Sequence, residues 1–265
     1  MTAEDLGGGV RLVLEPPVAT VELTRPDRLN AQTPATWTAL AEAGRRLDGT
    51  IRVAVLRGAG RAFSAGLDRA MFTPAGVPGE PSLLELAALG DDELESVIAG
   101  FQEGFTWWRR PDLVSIAAVQ GHAIGAGFQL ALSTDLRVLA DDAALSMRET
   151  TLGLVPDLTG TATLVATLGY ARALEITATG RTVSAGEAER LGLAQLVVTR
   201  DALDDAVADL VAALLAAPRD ALVETKALLL GAVDRRYDEQ RAAERAAQVR
   251  LLRDLAASVV QPDHG

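Results

Sequence analysis

The glycine-rich stretch at residues 114–129 constrains the fold of this chain more than any other segment. It opens with an apolar run at residues 114–119 and continues into three closely spaced glycines, Gly121, Gly125 and Gly127. A short apolar run is typical of a buried strand, and closely spaced glycines permit a tight turn in which a helix packs against the preceding strand. The stretch therefore predicts a strand–turn–helix unit of an α/β fold, with its helix near residues 126–134.

Strand and helix patterns alternate through the first part of the chain. Residues 10–14 and 19–23 alternate apolar and polar side chains around a proline pair, which predicts a hairpin. Thr33 followed by Pro34 is typical of a helix start, and residues 53–57 have the pattern of a short buried strand.

The second half of the chain is mostly helical in pattern. Three amphipathic helices are predicted near the C-terminus, at residues 202–216, 221–230 and 238–257. Before them, Ser184 and Glu187 have the spacing of a capping box. We expect an α/β domain at residues 1–195 and an all-helical region at residues 196–265.

Charge and composition exclude several classes of protein. The net charge of −11 over 265 residues argues against a nucleic-acid or anionic-membrane surface. No apolar run approaches the roughly 20 residues that span a bilayer, and the N-terminus does not resemble a signal peptide. The chain has no cysteine and only two histidines, His122 and His264. We therefore expect a cytoplasmic protein with no disulfide frame and no thiolate or zinc metal site.

The two glycine-containing turns offer backbone rather than side-chain chemistry. The spacing of Gly121, Gly125 and Gly127 matches neither the dinucleotide fingerprint nor a P-loop. Ser64 lies in a second turn, but outside a nucleophile-elbow sequence. Backbone amides at the start of a helix can instead bind an oxyanion.

Four collinear segments then resemble a known family. Residues 61–68 and 110–127 are similar to the two signature segments of the crotonase (enoyl-CoA hydratase/isomerase) superfamily. Residues 25–31 match its early motif, and residues 149–156 match the segment that carries its acid/base glutamate. The resemblance extends from about residue 10 to beyond residue 230.

The resemblance implies a crotonase (ClpP-like) spiral of ββα units whose helical C-terminal region mediates trimer contacts. It implies a homotrimer, or a hexamer built from two trimers, that binds an acyl-CoA thioester, with coenzyme A as part of the substrate. The thioester oxygen would be held by the backbone amides of Ala65 and Ala126. The coenzyme would be lined by Ala65, Gly66, Leu67, Asp68 and Ala126, with Arg28 near its phosphates and Lys226 as a weaker candidate.

The acid/base residues depart from the pattern of the family's hydratases, which use two glutamates. Glu149 matches the second glutamate, but Gln129 takes the place of the first. A carboxamide can orient a water molecule but cannot take up a proton. Single-glutamate members of the family that resemble this pattern isomerise a double bond, so isomerisation is favoured over hydration. A non-catalytic acyl-CoA-binding protein is the alternative that Gln129 leaves open.

Asp157 has two interpretations. Dienoyl-CoA isomerases of the family have an aspartate eight residues after the glutamate, which makes Asp157 a candidate second proton carrier. Aspartate is also a favoured helix N-cap, and a helix is expected to begin at Pro156 and Asp157. A further group of side chains could shape the acyl pocket, although packing in the core or trimer is the more common role: Met71, Phe72, Trp107 and Trp108.

Overall fold

The computed structural model describes residues 1–260. Within these residues ten strands are formed: β1 (Thr2–Asp5), β2 (Val10–Glu15), β3 (Val18–Leu23), β4 (Val53–Gly58), β5 (Val114–Val119), β6 (His122–Ile124), β7 (Leu136–Ala140), β8 (Ala144–Ser146), β9 (Val183–Ser184) and β10 (Leu196–Val198). The α-helices in the described residues are α1 (Pro34–Arg46), α2 (Leu83–Leu86), α3 (Asp91–Thr106), α4 (Ala126–Ser133), α5 (Gly160–Leu168), α6 (Tyr170–Thr179), α7 (Ala185–Arg190), α8 (Leu203–Ala216), α9 (Arg219–Gly231) and α10 (Tyr237–Val260).

Seven strands form the main sheet, in the order β1-β2-β3-β4-β5-β7-β10. The predicted hairpin is present, since β2 and β3 pair antiparallel. From β3 onward the strands pair in parallel, and parallel neighbours need crossover connections. Every residue of β5 is buried, as expected for a central strand with both faces of its sheet covered.

A second sheet of three short strands, β6-β8-β9, lies beside the main one. The chain repeatedly places one strand in the main sheet, a short strand in the small sheet and then a helix. The units β5–β6–α4 and β7–β8–α5 both follow this order. Each unit places the turn before its helix in the same region, between the small sheet and the start of the helix.

The sheet is packed on both faces. One core cluster lies under α1, α3 and α4 and includes the fully buried rings of Phe63, Phe105, Trp108 and Phe128. The other joins β4, β5 and β7 to α8 through residues such as Val55, Ile116 and Leu203. Burying these side chains supplies most of the driving force for folding, at roughly 1.5–3 kcal/mol for each large apolar group.

Three predictions about organisation are corrected. The sheet continues past residue 195, because β10 pairs in parallel with β7 and α8 packs on the sheet. Only half of the capping box forms: Ser184 Oγ accepts the Glu187 amide, while the Glu187 carboxylate binds Arg181 instead. The predicted domain boundary at 195/196 therefore falls within the sheet-forming region, and residues 261–265, including His264, lie outside the described residues.

Within the described residues, no helix has the length and apolar character that crossing a membrane requires.

Candidate active site

Two glycine turns meet at the start of α4. Gly125 is the N-cap of this helix and has φ 52°, a backbone conformation that favours glycine. A Cβ atom placed on Gly66 would lie 2.3 Å from the Ile124 carbonyl oxygen, and one on Gly127 would lie 2.5 Å from the Ser64 carbonyl oxygen. The residue 64–68 turn and the α4 turn can therefore pack this closely only because these positions lack side chains.

The Ala126 amide is available to a ligand. It is the first amide of α4, and its N–H has no acceptor among the described residues. This N–H belongs to the backbone and does not depend on the alanine side chain. The N-terminal end of a helix also carries partial positive charge, so the amide is suited to bind developing negative charge.

The structure corrects the prediction that the Ala65 amide is the second donor. The Ala65 amide donates to the Leu29 carbonyl at 2.8 Å and is therefore occupied. Two residues later, the Leu67 amide has no acceptor within the part of the chain that the structure describes. Gly66 and Asp68, on either side of it, are both tied to the backbone of Gln32. In the residue 64–68 turn the Leu67 amide is thus the one left without an acceptor among the described residues, and it joins the Ala126 amide at the start of α4 as a possible donor.

Glu149 lies beside the α4 turn. It starts the 3-10 turn Glu149–Leu152 after β8 and is only 9% exposed. Its Oε1 atom would be 3.3 Å from a Cβ on Gly125, so glycine at 125 allows the close approach. Its Oε2 atom is buried and has no hydrogen-bond partner among the described residues. Burial raises the pKa of Glu149, and the negative charge of Asp157 raises it further.

Gln129 is fully buried, and each end of its carboxamide has a partner. The oxygen accepts the amides of Leu158, at 2.9 Å, and Gly160, at 3.3 Å. Because two N–H groups converge on the oxygen, the nitrogen faces Glu149 and donates to its Oε1 atom at 2.7 Å. Gln129 therefore links the Glu149 carboxylate to the segment that leads into α5, and its role in orienting water stays a prediction.

The N-cap interpretation of Asp157 is wrong. Helix α5 begins at Gly160, and its N-cap is Thr159, a residue with φ 71°. The Asp157 carboxyl group is half-buried, and burial raises its pKa. The Gln102 side chain of α3 donates to the Asp157 carbonyl at 2.7 Å. Asp157 is thus held near Glu149 by a neighbouring helix and is not used as a cap.

The residues predicted to bind the coenzyme divide into two groups. The Asp68 carboxylate is occupied by Arg25, at 3.0 Å, and by the Ala70 amide. Lys226 is buried and donates to Asp135 and to the Leu113 carbonyl, both at 2.6 Å, so it is removed as a phosphate candidate. Arg28 is exposed, and its guanidinium has no partner among the described residues.

The aromatic and methionine candidates for the acyl pocket also divide. Met71 and Trp108 are fully buried in the protein interior. Trp107 stacks on Trp108 with ring centroids 3.8 Å apart and donates to the Leu40 carbonyl. Phe72 is the most exposed of the four, at 39%, and is the one best able to contact a ligand.

The sequence did not predict that Gln102 would bind the Asp157 carbonyl or that Gln32 would bind the residue 64–68 turn. Gln102 lies on the polar side of an amphipathic helix pattern, where a glutamine has no distinguishing signal. Gln32 directly follows the segment 25–31 that carries the family resemblance, and this position is the only signal that singles it out. No group of three or more histidine or acidic side chains suited to a metal ion is present among the described residues.

A parallel sheet built from strand–strand–helix units, with two available turn amides beside a buried carboxylate, defines the crotonase class of fold. The sequence profile of the family "Enoyl-CoA hydratase/isomerase" matches residues 15–258. The chain therefore belongs to the enoyl-CoA hydratase/isomerase family.

Named relatives and solved structures agree with this assignment. The chain is 35% identical over 222 residues to the Mycobacterium tuberculosis protein "Probable enoyl-CoA hydratase EchA12", covering 83% of this chain and 75% of that protein. A Thermobifida fusca YX family member crystallised with acetoacetyl-CoA is 50% identical, with a TM-score of 0.90 over 93% of this chain and 96% of that one. An enoyl-CoA hydratase from Bacillus anthracis is 26% identical, with a TM-score of 0.78 over 91% of this chain and 89% of that one.

Proposed function

We propose that this protein isomerises the double bond of an enoyl-CoA thioester through an enolate intermediate. The Leu67 and Ala126 amides would bind the thioester oxygen, and Glu149 would carry the proton. Coenzyme A would be part of the substrate, as in the complexes of the Thermobifida fusca relative with CoA and acetoacetyl-CoA. This chemistry needs only proton transfer and calls for no metal or redox cofactor.

The observation that carries the proposal is the hydrogen bonding of Gln129. Its oxygen accepts the amides of Leu158 and Gly160, and its nitrogen donates to Glu149 Oε1. Gln129 therefore cannot act as the second acid/base group that the family's two-glutamate hydratases use. One ionisable oxygen, Glu149 Oε2, remains without a partner among the described residues.

A single carboxylate is sufficient for isomerisation. Glu149 Oε2 would remove a proton from Cα of a 3-enoyl-CoA, and the electron pair would delocalise onto the thioester oxygen. The same oxygen of Glu149 would return the proton to Cγ, which moves the double bond to the 2-position and regenerates the carboxylate. A raised pKa suits Glu149 to this cycle, since it holds the proton more strongly than an exposed carboxylate would.

Assays of 3-enoyl-CoA and 2-enoyl-CoA test the proposal. We expect the wild-type protein to isomerise the first and to hydrate the second at least ~10²-fold more slowly, the lower range of a general acid/base contribution. Gln129→Glu should gain hydration, because its carboxylate can still accept the Leu158 and Gly160 amides and also take up a proton. Wild-type hydration as fast as isomerisation would contradict the proposal and favour the activity in the relatives' names. Tight binding without turnover of either substrate would favour a binding protein.

Dienoyl-CoA isomerisation is a second candidate, favoured by the position of Asp157. This carboxyl group is not a helix cap, lies near enough to Glu149 to raise its pKa, and itself has a raised pKa. Two such groups could remove a proton at one end of a 3,5-dienoyl-CoA and deliver one at the other. Asp157→Asn should then slow dienoyl turnover while sparing 3-enoyl turnover, and equal effects on both would remove this candidate.

We also propose that the chain assembles as a homotrimer or as a hexamer of two trimers. Large apolar side chains of α9, of α10 and of the segment between them are exposed in the single chain, namely Leu229, Val233, Tyr237 and Leu252. Clustered exposed apolar groups are typical of a protein interface. Light scattering coupled to size-exclusion chromatography tests this, and a monomer at micromolar concentration would contradict it.

A further inference from the structure

Gln32 is a buried glutamine that the proposed chemistry does not use directly. It lies between the Arg25–Ala31 segment and α1, and its side chain is fully buried. A buried amide is retained without cost only if its polar atoms find partners. The hydrogen-bond partners of Gln32 all lie in the residue 64–68 turn or in α1.

The backbone of Gln32 is hydrogen-bonded to the residues on both sides of Leu67. Its N–H donates to the Gly66 carbonyl at 2.7 Å, and its carbonyl accepts the Asp68 amide at 2.8 Å. In extended pairing, successive residues direct their N–H groups to opposite sides of the chain. With Asp68 N–H directed to Gln32, the Leu67 N–H is directed away from it.

The side chain of Gln32 fixes the same turn from a second direction. Its nitrogen donates to Ser64 Oγ at 3.0 Å, and its oxygen accepts the Trp37 indole N–H at 2.8 Å. Ser64 Oγ in turn donates to the Asn30 carbonyl at 2.8 Å and accepts the Gly66 amide at 3.2 Å. Trp37 belongs to α1, so the network ties the turn to a core helix.

We propose that Gln32 is a positioning residue that sets the orientation of the Leu67 amide for the thioester oxygen. This inference rests on the proposed function, because it concerns one of its two oxyanion donors. Such a donor stabilises an enolate only if its direction is fixed before the reaction. Replacing Gln32 by leucine would leave the Trp37 indole without an acceptor and Ser64 without one of its donors, so the turn could relax.

The test uses absorption of a bound chromophoric thioester, cinnamoyl-CoA. Hydrogen bonds to its carbonyl oxygen polarise the conjugated system and shift its absorption maximum to longer wavelength. We expect the wild-type protein to produce this red shift and Gln32→Leu to lose most of it. Turnover of 3-enoyl-CoA should fall roughly 10-fold in kcat with little change in KM, which is less than the ~10²–10³-fold expected for deleting a donor outright.

Gln120→Leu is the matched control. Gln120 is also buried, and its side-chain nitrogen donates to the Gly58 carbonyl at 2.6 Å and the Gly60 carbonyl at 3.2 Å rather than to a residue of the 64–68 turn. This variant should lower Tm yet keep the wild-type red shift. Ser64→Ala removes less of the network, and it provides the same spectroscopic test if Gln32→Leu does not fold.

Different results would contradict the positioning role of Gln32 and the proposed oxyanion site. A full red shift and unchanged kcat in Gln32→Leu or Ser64→Ala would overturn the positioning role while leaving the oxyanion site intact. A wild-type protein that binds cinnamoyl-CoA without any red shift would overturn the oxyanion site itself, and the positioning role with it.

Discussion

The two sides of the candidate site are built from different parts of the polypeptide. On one side, the Leu67 and Ala126 amides are backbone groups, fixed by close packing at Gly66 and Gly127. On the other side, the Glu149 and Asp157 groups are side chains: Gln129 donates to the Glu149 carboxylate, and Gln102 donates to the backbone carbonyl of Asp157. We refer to these as the amide side and the carboxylate side.

Because one side uses backbone groups and the other uses side chains, substitutions change the chemistry of the carboxylate side more readily than that of the amide side. The identity of the side chain at position 126 leaves the amide side chemically unaltered, because the N–H belongs to the backbone. Glutamine in place of glutamate at position 129 removes an ionisable group from the carboxylate side. Under the proposed function, the amide side would set the class of intermediate, and the carboxylate side would set which reaction that intermediate undergoes.

The largest expected effect is on the carboxylate side. Glu149→Gln should lower kcat for 3-enoyl-CoA by ~10³-fold, within the ~10²–10⁴-fold range of general acid/base catalysis. The new amide oxygen can still accept the Gln129 N–H, so the fold and substrate binding should be retained. Steady-state kinetics and substrate titration check this. Wild-type turnover in Glu149→Gln would show that another group carries the proton.

The amide side should respond to added volume. Gly66→Ala and Gly79→Ala both place alanine at positive φ, 82° and 83°, but only at Gly66 does a new Cβ meet the backbone, at 2.3 Å from Ile124 O. Overpacking should make Gly66→Ala less stable than Gly79→Ala by ~1–3 kcal/mol in free energy of unfolding. Denaturant unfolding measures both. Equal stabilities would mean that the two turns are not closely packed.

Coupling within the carboxylate side should appear in the pH profile. Glu149 must be ionised to act as a base, so kcat/KM should rise as pH increases through its raised pKa. Removing the charge in Asp157→Asn takes away one cause of that rise, and the midpoint should move to lower pH. Asp92→Asn, an exposed position on α3, should leave the midpoint unchanged. An unmoved midpoint in Asp157→Asn would show that the two carboxyl groups are not coupled.

The smallest effect is expected outside both sides, at Arg28. An exposed arginine contributes ~0.2–1 kcal/mol to an ionic contact, so Arg28→Ala should weaken coenzyme A binding by at most about fivefold. The difference from wild type should shrink at high salt, because screening weakens exposed pairs. Calorimetric titration at two ionic strengths measures this. A salt-independent loss would point to a packing role.

Much of the fold could be predicted because local patterns and tertiary packing agree. The hairpin β2–β3, the Thr33 start of α1 and the strand–turn–helix of β5 and α4 occur where periodicity and turn residues place them. The end of the sheet could not be predicted, since β10 has only three residues and is defined by its pairing with β7. Short strands carry too little periodic signal to stand out.

The sequence by itself determined the family, and it predicted Glu149 as the acid/base group and a glutamine at position 129 where the family's hydratases have a glutamate. These depend on residue identity in an ordered set of motifs. Only the tertiary structure decided that Leu67 rather than Ala65 has the available amide, that Asp157 is not a cap, and that Lys226 is buried on Asp135. Each of these depends on where a hydrogen-bond partner lies in space, and such partners come from segments that are distant in sequence.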